Sequence, residues 1–196
     1  MKSYRRIMLG RKSVHAPACF AGGFIGIDFG INEDLSQQLP ENWRDFNHEF
    51  IPRVMAVGHS ATKIGAGLAC GFTWTLCKGL QIGDIVLSPD GSGVYRVGEV
   101  TGNYFYADGE ILPHRRAVHW LDEYIQRADM SEALKRSTGS IGTISDITGY
   151  AAEIEALIGG TTASGPTLSV NDETIEDAAS FALEKHLEDF LVLNWA

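Results

Sequence analysis

The chain has 196 residues, a net charge of −9 and an apolar fraction of 44%, which suits one folded globular domain with room for a second small piece. No run of 18 apolar residues exists and the basic N-terminus lacks a continuous apolar stretch, so neither a membrane span nor a signal peptide is expected. Cys19, Cys70 and Cys77 are odd in number and lack CxxC spacing, which argues against a disulfide framework or structural zinc and for small buried residues in a cytoplasmic protein.

The first strand is read in SYRRIMLG, with Tyr4, Arg6 and Met8 on one face and Arg5, Ile7 and Leu9 on the other. HAPACFAG reads as a short helix closed by Gly22 and Gly23, and GFIGIDFG as a second strand with Asp28 in its middle. The stretch from Asn32 to Ala56 is expected to be helical in two pieces broken at Pro40, with Trp43, Phe46 and Phe50 at helical spacing. ATKIGAGLACGFTWTLCKGL, apolar and rich in small residues, reads as a tightly packed helix. KGLQIGDIVLSPDGSGVYRVGEVTG holds a strand (Ile85, Val86, Leu87), a Pro-Asp-Gly turn and a second alternating strand. An aromatic strand NYFYADG and a strand RAVHWLDEYI follow. The mixed order predicts an α+β domain: a small, strongly curved sheet or partly open barrel with helices packed outside.

Beyond residue 125 the character changes. SEALKRS reads as a short helix, GSIGTISDI as a turn and an extended piece, and ITGYAAEIEALIGG as a helix with Ile154, Leu157 and Ile158 on its apolar side. Residues 161–172 have the composition of a linker. Residues 173–196 read as an acidic amphipathic helix whose Phe181, Leu183, Leu187, Phe190 and Leu191 need a partner. The expected division is a recognition domain at 1–160, a linker at 161–172 and a last helix at 173–196.

Charge is spread unevenly. Residues 1–121 carry 12 Lys and Arg against 11 Asp and Glu, whereas 122–196 carry 4 against 14. Lys2, Arg5, Arg6, Arg11 and Lys12 crowd the first twelve residues without an acid. A phosphate-binding face on the first part is therefore compatible with the overall acidity, and Arg11, Lys12, Arg115 and Arg116 are its candidates. The alternative is a solvated basic strand end.

No nucleophile elbow, P-loop, HExxH or dinucleotide fingerprint is found, so no catalytic residue is assigned. The six histidines are scattered away from metal-ligand spacings, and no metal site is expected. Asp28 on an apolar strand needs a partner: Arg96 or Arg115 as an ion pair, or the exocyclic amine of a base. Phe29, Trp74, Tyr104 and Tyr106 near Arg115 and Arg116 have the makings of a stacking platform for an unstacked base, although aromatics in a small barrel are more often core.

IMLGRKS, GIDFGINEDLS, GFTWTLCKGLQIGDIVLSPDGSGVYRVGEVTGNYFY and LPHRRAVHWL together resemble the N-terminal module of a group of prokaryotic restriction endonucleases, itself similar to the PUA-like superfamily with its EVE and YTH domains. The resemblance covers roughly residues 3–158. It implies a PUA-like sheet and a pocket that takes a flipped modified base. Asp28, Phe29, Trp74, Tyr104 and Ser13 would line that pocket, the base lying between Phe29 and Trp74 with Asp28 reading its edge. Many relatives carry a tryptophan where Phe29 stands. FALEKHLEDFLVLNW resembles the opening helix of a NucS-like nuclease domain of the PD-(D/E)XK type. The expected function is thus the DNA-binding specificity module of a modification-dependent restriction endonuclease, its nuclease core truncated and this chain unable to cleave. No cofactor is expected for the chain, and Mg²⁺ belongs to the missing nuclease domain. The expected partner is double-stranded DNA carrying a modified base, with no membrane and with a homodimer allowed. The alternatives are a YTH-like reader of modified RNA and a small-molecule enzyme using Asp28 and His114 as an acid–base pair.

Overall fold

The computed structural model describes residues 2–159. The expected linker at 161–172 and amphipathic helix at 173–196 lie outside the described residues. The described chain is α+β. Its strands are β1 (Tyr4–Ile7), β2 (Phe24–Ile27), β3 (Ile85–Pro89), β4 (Val94–Tyr106), β5 (His114–Gln126) and β6 (Ile144–Asp146). Its helices are α1 (Ala16–Gly22), α2 (Trp43–Ala56), α3 (Lys63–Trp74), α4 (Glu132–Thr138) and α5 (Ala151–Ile158). The strands form one six-stranded mixed sheet in the order β2-β5-β4-β3-β1-β6. β1 and β3 run parallel, the other neighbours antiparallel. β2 and β6 end the sheet, so it stays open.

Both faces of the sheet are covered, which explains why β3 is buried along its whole length. Val86, Val100, Ile7 and Ile25 meet α1 and Leu76 on one face. Ile85, Leu87, Tyr95 and Val97 meet Leu134 and Ile154 on the other. A third cluster joins α2 and α3 through Phe46, Phe50, Val54, Ala66 and Cys70, over Ile31 and Leu35. Phe46 and Phe50 are fully buried and stack at 4.3 Å, each worth roughly 1.5–3 kcal/mol of burial. All three cysteines are buried free thiols. Burial pushes the Cys19 thiol up to about 11 and that of Cys70 to about 12.

The hairpin is more extended than the sequence suggests. The aromatic stretch from Asn103 is the second half of β4, not a separate strand. A register irregularity between Val100 and Tyr104 puts extra β4 residues opposite Ala117 and bends the strand there. Gly98 is required by close approach: a Cβ would stand 2.4 Å from Val118 and 2.7 Å from Trp120.

Two further expectations are corrected. Residues before Pro40 form loop and turn; a single helix, α2, starts after Asn42, whose side chain accepts a hydrogen bond from the Asp45 amide. The proline within that segment that does sit inside a helix is Pro52. Asp28 stands just past β2, not within it. α3 ends in a π-helical turn over Thr75–Gly79, and this turn contacts β4 and β5.

Candidate functional site

The ends of β4 and β5 are tied to the 31–35 loop by one hydrogen-bonded chain. The Leu35 amide donates to the Tyr104 hydroxyl at 3.2 Å. That hydroxyl lies 2.9 Å from His114 Nδ1, and His114 Nε2 lies 2.6 Å from the Ile31 carbonyl. Because a carbonyl can only accept, Nε2 carries the proton and Nδ1 accepts from Tyr104. Burial lowers the His114 pKa below its ordinary value and raises that of the Tyr104 hydroxyl. Both ring nitrogens are therefore used in holding the loop. Asp28, expected as the other member of an acid–base pair with His114, is exposed and accepts from the Gly30 amide at 2.9 Å. Neither expected arginine partner reaches it. Arg96 lies over Phe20 and donates to the Leu121 carbonyl, and Arg115 is held elsewhere.

Beside Tyr104 opens a cavity of about 390 Å³. Its polar lining comes from Ser36, Lys78, Gln81, Asn103, Tyr104 and Arg116, and no carboxylate lines it. Arg116, on β5, is only 3% exposed. Its Nε donates to the Gly102 carbonyl at 2.8 Å, and Nη1 lies 3.4 and 3.5 Å from the Leu76 and Cys77 carbonyls. The bulge in β4 presents that Gly102 carbonyl, and the π-turn presents the other two. Lys78 Nζ donates to the Pro40 carbonyl at 2.7 Å, approaches Glu41 at 3.5 Å and lies 5.1 Å from the centre of the Trp74 ring. A second cavity, about 280 Å³, is lined by Gly30, Asn32 and Val57, with Arg53 paired to Glu33 at its wall.

Residues 6–148 match the domain of unknown function DUF8426. The chain belongs to this family. No curated protein matches the sequence. The DUF8426 region takes in β1 from Arg6 through β6, and with it every candidate residue named from the sequence.

Within the DUF8426 domain those candidates do not form one site. Tyr104 and Arg116 meet at the larger cavity, with Trp74 behind Lys78. Trp74 packs on Phe46 at 5.6 Å, while Phe29 meets His59 at 5.1 Å and Phe72 at 6.0 Å. Both rings are partly buried against the apolar cluster of α2 and α3, and neither lines the two cavities described. Ser13 is buried beside the hairpin tip at Gly91, next to the first residues of β4, whereas Tyr104 is near the last. Their expected common pocket is therefore split along the length of a 13-residue strand.

The phosphate-binding set divides in the same way. Arg11 and Lys12 are exposed on the turn after β1. Arg115 and Arg116 belong to the other end of β4. Arg115 lies 3.9 Å from the Phe24 ring centre and donates to the Ile111 and Leu112 carbonyls, which staples the β4–β5 loop. Arg116 is buried and lines the cavity, so it does not lie on the surface where a phosphate contact was expected. Sequence reasoning missed Lys78, Asn103 and Gln81. Gly102 next to Asn103 within an aromatic strand was the one local signal of a bulge there.

Proposed function

We propose that this DUF8426 domain is a DNA-binding specificity module of a modification-dependent restriction system, with a PUA-like sheet that takes a flipped base. The observation that carries this reading is the carboxylate-free cavity of about 390 Å³, with Tyr104 and Arg116 in its wall, in a chain of net charge −9. Its volume falls among sites of roughly 300–1,000 Å³ that hold small ligands. A tyrosine ring and a guanidinium suit a flat, acceptor-bearing heterocycle. Flipping costs a few kcal/mol, and stacking returns about 1–3 kcal/mol per base. Affinity must therefore come from backbone contacts, and selectivity from the cavity.

The test is a competition titration of the 196-residue chain against otherwise identical duplexes that carry methylated adenine, methylated cytosine, hydroxymethylated cytosine or no modification, with a single-stranded RNA arm. A preference of at least about tenfold for one modified duplex supports the reading. Equal binding of all duplexes overturns it, and preference for the RNA arm moves the partner to RNA.

A further inference from the structure

α3 buries one side and leaves another open. Ala66, Ala69 and Cys70 are buried in the cluster shared with α2. Ile64 and Leu68, one turn apart, are 55% and 37% exposed. Phe72 stands one turn further on, and its ring touches the loop before β6: a Cβ on Gly142 would lie 3.0 Å from it. The neighbour of Gly142 is Ile141, which is wholly exposed. Gly71, beside Phe72, has open space where a Cβ would stand. Single exposed apolar side chains are ordinary, but a row that runs from a helix onto the adjoining loop marks a contact surface. The border of this row is cationic. Lys63 opens α3, and Met8, whose amide donates to the Thr143 carbonyl, leads into the turn with Arg11 and Lys12. All three cations are exposed, and none is ion-paired among the described residues.

We propose that this face is the docking site for the chain's own residues 173–196, laid along α3 as an amphipathic helix. The segment matches the face in pattern, charge and reach. Leu183, Leu187 and Leu191 recur at the spacing of Ile64, Leu68 and Phe72, so the two helices offer ridges of the same pitch, with Gly71 leaving a notch for a large side chain such as Phe190. Residues 173–196 hold six Asp and Glu against one Lys, the opposite sign to Lys63, Arg11 and Lys12. The connection at 161–172 spans about 40 Å when extended, while a domain of this size has a radius of gyration of about 15 Å. The tether therefore reaches α3 from the end of α5, and it holds the segment at an effective concentration on the order of millimolar, so a modest apolar contact is enough. The inference is independent of base reading.

The experiment is amide hydrogen exchange on the 196-residue chain, without DNA, at two protein concentrations. Ile64→Glu combined with Leu68→Glu makes the face polar and acidic. The proposal expects the amides of 181–191 to exchange at least about tenfold faster in this variant than in the wild type, while the amides of β3, β4 and β5 are unchanged. The reciprocal variant, Leu187→Glu with Leu191→Glu, leaves the α3 face untouched and gives the same loss of protection, so the test stands even if the first variant does not fold. Equal exchange of 181–191 in the wild type and the reciprocal variant overturns the proposal. So does protection in the wild type that the α3 variant, still folded, retains. Protection that grows with protein concentration also overturns it, because the face then belongs to a second copy.

Discussion

Replacing Tyr104 by Phe removes one oxygen atom and keeps the ring. Two bonds go with it: the acceptor for the Leu35 amide at 3.2 Å and the donor to His114 Nδ1 at 2.9 Å. His114 is 1% exposed, so its Nδ1 is left without a partner at a cost of about 1–3 kcal/mol. The Leu35 bond is longer and adds little. A loss of about 2 kcal/mol follows, or roughly 4–8 °C in Tm for a chain of this size. Urea unfolding at pH 7.5, followed by fluorescence, measures it as a lower midpoint with an unchanged slope. The same variant alters the pH dependence. His114 titrates below its ordinary 6.5 in the folded chain, first because it is buried. Its contribution is complete above pH 6.5; as pH falls below that value the unfolded chain takes up a proton that the folded chain refuses, and stability drops towards the folded pKa. Without the Tyr104 proton on Nδ1 the folded ring accepts a proton more readily, so the decline below pH 6.5 becomes shallower in Tyr104→Phe. A midpoint shift worth less than about 0.5 kcal/mol, with an unaltered pH profile, would refute the hydrogen-bonded chain.

Gly98→Ala is expected to cost about 1–3 kcal/mol in urea unfolding, because its Cβ would enter space held by Val118 and Trp120; a neutral substitution would mean the strands separate easily there. Arg11→Ala combined with Lys12→Ala should leave Tm within about 1 °C, since both are exposed, and should lower the slope of log K against log salt by about 0.9 for each phosphate that is no longer neutralised. Arg115→Ala should instead lower Tm, because the Ile111 and Leu112 carbonyls are no longer stapled, a result read by thermal scanning without any DNA. Thiol titration at pH 8 should find Cys19 and Cys70 unreactive in the native chain and all three cysteines reactive in denaturant.

Local patterns in the sequence are enough for the elements with their own punctuation. α1 is closed by Gly23 in the left-handed conformation, and the Pro-Asp-Gly turn separates β3 from β4. α3 is legible because its small residues pack closely. What cannot be read is long-range. Arg6 looks like a surface cation on an alternating strand, but it is fully buried because α4 is followed by carbonyls at Ser140 and Gly142 that receive its guanidinium. Arg116 disappears inside for the same kind of reason, with acceptors from Leu76, Cys77 and Gly102. Neither set of acceptors leaves a mark on the residues around the arginine. The candidate site suffers most: Tyr104 and Arg116 stand out in the sequence, but grouping them with Ser13 and Arg11 depends on strand ends that only the register of β4 separates.

β1 lies between β3 and β6, with Tyr4 opposite Ile85 and Arg5 opposite Asp146. The first of the six strands to leave the ribosome is thus among the last to be enclosed. Until β3 has emerged, Tyr4 and Ile7 have no sheet to join, and until Asp146 has emerged one side of β1 stays open. Such pairings have a large closure entropy and slow folding. During synthesis the β3–β4–β5 meander can assemble first, from neighbours in the chain, and offer an unpaired β3 edge to any strand nearby. β1 is the segment that takes that edge away, so a variant that weakens β1 would show itself first as aggregation of newly made chains, before any change in the molecules that fold.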